Sequence, residues 1–182
     1  MNNFVIKILM LVSVVLMPFV ASAQKKQLSQ ARDYIKSGKN LDKAESILRT
    51  QLQDSAQRNN IKVWQMLVES LTAQYEQGNE QLYLKQKYDT LAFFTTTRKI
   101  FSAAESADSV DMRPDEDGRV HPKYRSHNAE YLRNIMPNLY YGGVYFVNKK
   151  DYKRASEYFN HFISLPKQPI FTGVRLDTAS TM

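Results

Sequence analysis

Apolar positions recur every three or four residues along most of this chain. Over 27–53, Leu28, Ala31, Tyr34 and Ile35 form one stripe, and Leu41, Ala44, Ile47 and Leu48 form a second with Gln51 in line. That spacing is the period of an amphipathic helix. Ser37-Gly38-Lys39-Asn40 separates the stripes. Gly38 suits the end of one helix and Asn40 the cap of the next, so the segment predicts a short αα-hairpin. Ile61, Trp64, Leu67, Val68, Leu71 and Tyr75 repeat the pattern. Gln77-Gly78-Asn79 interrupts it. Leu82, Tyr83, Gln86 and Leu91 resume it, with Leu84 and Tyr88 widening the face, which predicts a second hairpin. A third helical stretch covers 91–107, with Phe94, Ile100, Phe101 and Ala104 facing inward and the β-branched Thr95-Thr96-Thr97 marking a kink or boundary.

From Asp108 the period fails. "DSVDMRPDEDGRVHPK" carries Pro114, Gly118 and Pro122 among five acidic side chains and reads as a solvated loop inserted over 108–125. A helix follows over 126–136, with Ala129, Leu132 and Ile135 on one side. Pro137 marks a boundary, Asn138 can cap the next helix, and Asp151 the last one, which runs to Ile163 or Leu165 before Pro166. The tail, 167–182, has no clear period. Within "NLYYGGVYFVNKKDYKRASEYF" two adjacent glycines, Gly142 and Gly143, interrupt an otherwise helical pattern, where each costs about 1 kcal/mol against alanine.

Superposing Ala44 on Ala155 exposes a repeat. Asn40 then falls on Asp151, Leu41 on Tyr152, Lys43 on Arg154, Leu48 on Phe159 and Ile35 on Phe146. Cap meets cap, apolar meets apolar and base meets base. The offset holds about three periods of ~34 residues once the acidic loop is allowed for. The chain therefore reads as all-α, a row of about four antiparallel helical hairpins.

The stretch 138–166 resembles a tetratricopeptide repeat. Leu139 stands at the usual Trp/Leu position, Gly143 at the Gly/Ala position and Phe146 at the aromatic position of the first helix. Tyr152, Ala155 and Phe159 match the second helix, and Pro166 lies one residue before the usual proline. Trp64, Leu67 and Val68, with Leu71, look like the first helix of another repeat, and Ala44 with Leu48 like the second helix of a third. The order of "FFTTTRKIF", "GRVHPKYRSHNAEYL", "MPNLYYGG" and "KQPIF" is similar to a family of exported bacterial tetratricopeptide proteins, whose members typically carry more hairpins. The resemblance implies a right-handed solenoid over 24–166, no enzymatic activity, and a concave face lined by the first helix of each hairpin. Its candidate partner-binding residues are Tyr140, Val144, Val147 and Asn148, with Lys62, Gln65, Glu69 and Thr72. It explains Gly143 by close approach of the two helices at Ala155, with Tyr152, Phe159 and Phe146 buried beside them. Gly142 it leaves unexplained.

Composition narrows what such a fold does here. Aliphatic and aromatic residues make up 43% of 182, enough for one core-forming domain. Residues 1–23 differ: Lys7, an apolar run from Ile8 to Val20, then Ala21-Ser22-Ala23 before Gln24. That run is shorter than the ~20 residues a membrane span needs. It predicts a secretory signal cleaved after Ala23 and an exported, periplasmic chain. With no cysteine there is neither a disulfide nor a residue for a lipid anchor. The formal charge is +7, but the basic residues are scattered, so a solvated surface is favoured over nucleic-acid binding. Asp111, Asp115 and Asp117 do not follow calcium-loop spacing, and His121, His127 and His161 have no metal-ligand partners in sequence. Neither a metal nor a cofactor is expected. No nucleophile motif appears either. The reading is a non-catalytic protein–protein interaction scaffold that binds an extended peptide or partner helix. The alternative is a periplasmic or outer-membrane-associated glycan-capture accessory, since 11 Tyr and 9 Phe suit sugar faces. The apolar last helix also predicts self-association, unless Ile170 and Phe171 fold back over it.

Overall fold

The computed structural model describes residues 22–176, and these are all-helical, with no strand among them. The predicted signal segment lies almost wholly outside the described residues. Helix α1 covers 22–37, α2 Leu41–Gln51, α3 Ser55–Arg58, α4 Ile61–Tyr83, α5 Thr90–Asp111, α6 Arg125–Ile135, α7 Pro137–Asn148 and α8 Tyr152–Ser164. Two 3₁₀ turns, Leu165–Lys167 and Pro169–Phe171, close the described chain.

Local chemistry sets most of these boundaries. Side-chain oxygens of Asp54, Asn60, Asp89 and Asp151 accept backbone N–H groups at the starts of α3, α4, α5 and α8. Each satisfies a donor that has no partner inside its helix. Gly38 ends α1 at φ 65°, a left-handed conformation that glycine adopts without penalty. Two expected caps differ. Asn40 precedes α2 in a left-handed conformation and makes no side-chain cap bond. Asn138 is no cap because Pro137 already opens α7, and its amide donates to the Tyr75 hydroxyl at 2.7 Å.

Two expected breaks are absent. Helix α4 runs through Gly78, where a methyl group would lie 2.6 Å from the Tyr88 ring, so this glycine makes room for a neighbour and ends nothing. The turn comes later, at Lys85, φ 53°. Helix α5 passes unbroken through Thr95-Thr96-Thr97, since Thr96 and Thr97 are buried and the Thr97 hydroxyl donates to the Phe93 carbonyl at 3.0 Å.

The long helices pair as α1/α2, α4/α5 and α7/α8. Gln27 near the start of α1 meets Gln51 at the end of α2, which makes that pair antiparallel. Gly143 opposite Phe159 and Tyr140 beside Phe162 do the same for α7/α8. Successive hairpins join where α2 packs on α4 and α5 on α7, and ion pairs reach across from one second helix to the next. Lys99 of α5 reaches Glu45 of α2 at 2.9 Å, and Arg98 of α5 reaches Glu157 of α8 at 2.6 Å. The first helices meet through Asn138 of α7 and Tyr75 of α4. Between these layers sit Leu48, Leu67, Leu71, Ile100, Phe101, Leu139 and Phe146, all essentially without solvent contact.

The acidic segment is less loop-like than its composition suggests. Asp108 and Asp111 belong to α5 and are buried. Asp111 accepts the backbone N–H groups of Lys123, Tyr124 and Arg125 at 3.0, 2.6 and 3.0 Å, so it caps α6 from a distance. Arg125 Nε lies 3.1 Å from Asp108 Oδ1 without hydrogen-bond geometry, a contact held by charge alone. Burial raises the Asp108 carboxyl above its ordinary value, Arg125 opposes that, and Asp111 adds to it. In the tail, Ile170 and Phe171 are buried, but their turn packs on α5 and α6, not over α8. The outer side of α8 thus stays open, with Ile163 63% exposed. Tyr152 on the same side is 65% exposed and contributes nothing to the core expected of it.

Both adjacent glycines have a reason. A Cβ on Gly142 would stand 2.6 Å from Tyr158 Cδ1 and 3.3 Å from Phe94 Cδ1. One on Gly143 would come closer still to Phe159 Cε1 and stand 2.7 Å from its Cδ1. The group facing Gly143 is therefore the Phe159 ring and not Ala155. Tyr158 is buried, with its ring against Phe146 and the Arg98 guanidinium, whereas Phe159 is only half-buried, so its ring gives way at less cost. Overpacking costs about 1–3 kcal/mol, and removing a helical glycine returns up to about 1 kcal/mol. Gly142→Ala is expected to lower the thermal midpoint more than Gly143→Ala; equal or reversed shifts in calorimetry would contradict this packing.

Candidate functional site

The richest side-chain chemistry lies on the second helices. Arg98 and Lys99 each lie three or four residues from both Thr95 and Ser102, so the four share one face of α5. Arg49 from the end of α2 and Arg154 from the first turn of α8 flank that face. With Phe146 and Tyr158 they line a cleft of about 430 Å³. Three hairpins contribute to it.

Aromatic rings and carboxylates hold the cations. The Arg154 guanidinium lies 4.6 Å from the centre of the Phe146 ring, and that of Arg98 lies 5.4 Å from the Tyr158 ring. Both rings are 2% exposed. A guanidinium over a ring face is attracted by its quadrupole and still presents N–H donors. Glu45, 7% exposed, receives Arg49 at 2.8 Å and Lys99 at 2.9 Å. Burial pushes its carboxyl up, but bonds from Lys99, Arg49 and Gln74 and the Lys99 charge outweigh this, leaving it below its ordinary value of 4.5. Asp151 is lowered by the Arg154 backbone N–H and side chain. Four cations thus face three carboxylates, Glu45, Glu157 and Asp151.

Two other clefts are chemically different. One of about 410 Å³ lies along the other polar edge of α5, with Ser102, Glu105, Ser106, Asp108 and Ser109 facing Gln168, Pro169 and Ile170. Several of its groups are engaged internally. His161 Nε2 lies 2.9 Å from Glu105 Oε1, and the Ser106 and Ser109 hydroxyls donate to carbonyls four residues back. The second, about 60 Å³, lies between α4 and α6. It gathers Gln65, Glu69 and Thr72 under His127, Asn128 and Tyr131. Its size excludes a peptide.

The residues expected on a concave partner face are dispersed. Lys62, Glu69, Val147 and Asn148 are exposed, and Thr72, Tyr140 and Val144 are half-buried. Gln65 is buried and accepts the Asn128 amide at 3.1 Å. Tyr140 packs on Tyr141, Phe159 and Phe162. Among the repeat positions, Leu139, Phe146, Ala155, Ala44, Leu67 and Val68 are buried; Trp64 is partly buried and donates to the Arg58 carbonyl at 2.9 Å. Pro166 is exposed within a 3₁₀ turn. The cations of the cleft are not apparent from the sequence because Arg49, the adjacent pair Arg98-Lys99 and Arg154 stand 49 to 56 residues apart. The one local signal was the pair Arg98-Lys99 beside a threonine run.

Comparison with protein-family models, curated proteins and solved structures finds no match. Among the described residues no helix is long and apolar enough to cross a membrane.

The Glu45 network makes a pH-dependent contribution to stability. Its carboxyl is depressed in the folded chain, so the contribution is present above the ordinary value of 4.5 and is lost as pH falls through the depressed one. Thermal midpoints measured from about pH 6 down to about pH 3 should drop less for Glu45→Gln than for the unaltered chain. Parallel curves would show that Glu45 carries no such linkage.

Proposed function

We propose that the chain is an exported, non-catalytic scaffold of tetratricopeptide-like hairpins that binds a segment of a partner polypeptide. The observation that supports this most is the cleft whose walls come from α2, α5, α7 and α8, elements of three hairpins. A surface assembled across repeats suits an extended ligand that spans them. The cleft is lined by cations and hydroxyl donors, groups suited to holding a polar ligand. The exposed Tyr141, Val147, Tyr152 and Ile163 add apolar surface on the α7/α8 hairpin for a larger partner. A glycan-capture role has weaker support, since the two rings of the cleft are buried and carry guanidinium groups on their faces.

A photoreactive amino acid at Thr95, exposed in the cleft, tests the proposal in the native cell. Polypeptide adducts identified by mass spectrometry are the expected result, with fewer adducts when the same group stands at Ser46 on the outer side of α2. Adducts to carbohydrate alone, or equal polypeptide labelling from both sites, would overturn it.

A further inference from the structure

We propose that the cleft over α2, α5 and α8 recognises carboxylates: its ligand is an acidic segment of a polypeptide, rich in Asp or Glu. This rests on the scaffold reading above and adds the ligand's chemistry to it.

Charge comes first. Arg49, Arg98, Lys99 and Arg154 border one concavity, and their internal partners do not satisfy them. One carboxylate, Glu45, serves both Arg49 and Lys99, and it is buried behind them, away from solvent. Asp151 divides its two oxygens between the Arg154 backbone N–H and the Arg154 Nε. Each Arg has five N–H donors and each Lys three. A single bond from Arg98 to Glu157, or from Arg154 to Asp151, leaves most of that capacity unused in two side chains that line the cleft.

Stiffness comes second. A guanidinium resting on a buried ring is held in place, so less side-chain freedom is lost when a ligand arrives. Arg98 over Tyr158 and Arg154 over Phe146 are held in this way. The planar N–H edge then matches a carboxylate in a two-bond fork. The same stacking disfavours a neutral sugar, because the ring faces on which a sugar would lie are occupied. Thr95 and Ser102, one turn to either side of Arg98 and Lys99, supply hydroxyls that can receive backbone N–H groups or donate to carbonyls. Those partners belong to a polypeptide. A lone inorganic anion is too small to meet both hydroxyls, which stand seven residues, about 10 Å, apart along α5.

Fluorescence anisotropy on the full chain tests this with a labelled Glu/Gly decapeptide, its Gln/Gly counterpart, an oligogalacturonate and inorganic phosphate as probes. The Glu peptide is expected to bind at least about tenfold more tightly than the Gln peptide, and to weaken steeply between about 50 and 300 mM salt. Arg98→Gln and Lys99→Gln should each weaken it severalfold, and the double change Arg98→Glu with Lys99→Glu should abolish it. Lys153→Glu, an exposed charge on α8 outside the cleft, should leave it nearly unchanged. Circular dichroism confirms that each variant is folded, and the two Gln variants carry the test if the double Glu variant is not. Oligogalacturonate or phosphate binding as tightly as the Glu peptide would overturn the inference, as would peptide binding indifferent to Arg98 and Lys99. If Thr95 labels a polypeptide in the cell while the Glu peptide fails to bind, the carboxylate inference alone is refuted; if neither occurs, the scaffold reading falls with it.

Discussion

Helix α5 has to be buried from several directions at once, and the rest of the structure follows from that constraint. Phe93 stacks on Tyr75 of α4 at 5.0 Å, and Phe94 meets Tyr145 of α7. Phe101 meets the edge of His161 on α8, Lys99 reaches α2, and Asp108 and Asp111 hold the start of α6. A helix so surrounded needs small residues where its neighbours come close. Ala103, Ala104 and Ala107 supply them, all buried. Adjacent glycines answer the same need on α7, where the rings of Tyr158 and Phe159 occupy the space of absent side chains. The helix-propensity cost at these positions is met by packing, which outweighs propensity wherever a helix is enclosed.

The cleft is a consequence of this crowding. Polar side chains on α5 have few places to go, and the stripe Thr95, Arg98, Lys99, Ser102 emerges where α2 and α8 part above it. Buried rings and a buried carboxylate then hold the cations still. Fold and chemistry are coupled at Glu45, which bonds to Gln74 of α4 as well as to the cations, so the residue that orients the cleft also ties the first two hairpins together.

Much of the architecture was legible in the amino-acid pattern. Apolar spacing located helix over most of the chain but set one over 82–91, where the chain turns between α4 and α5, and Asp151 declared itself as a cap because an N-cap bond is local. What misled was local chemistry with distant partners. Gly78 looks like a break until Tyr88, ten residues on, fills its place. Asp108 and Asp111 look like loop residues because the groups they hold, Arg125 and the N–H groups of 123–125, lie beyond the loop itself. Tyr152 fits a repeat position by type and still faces solvent. Of the cleft only the pair Arg98-Lys99 left a local mark, since no window of sequence contains Arg49, Arg98 and Arg154 together. Only the stacking of the three hairpins brings them to one surface.

Native-state amide hydrogen exchange measures the central claim most directly. Burial from all sides makes the middle of α5, over 96–107, open only when the whole stack opens. These amides should therefore be the most protected in the chain, with exchange free energies equal to that of global unfolding, while the outer turns of α8 exchange through smaller openings. If α5 exchanges as fast as the outer turns of α8, or if α7/α8 retains full protection after α5 has opened, α5 is not the element on which the other helices depend.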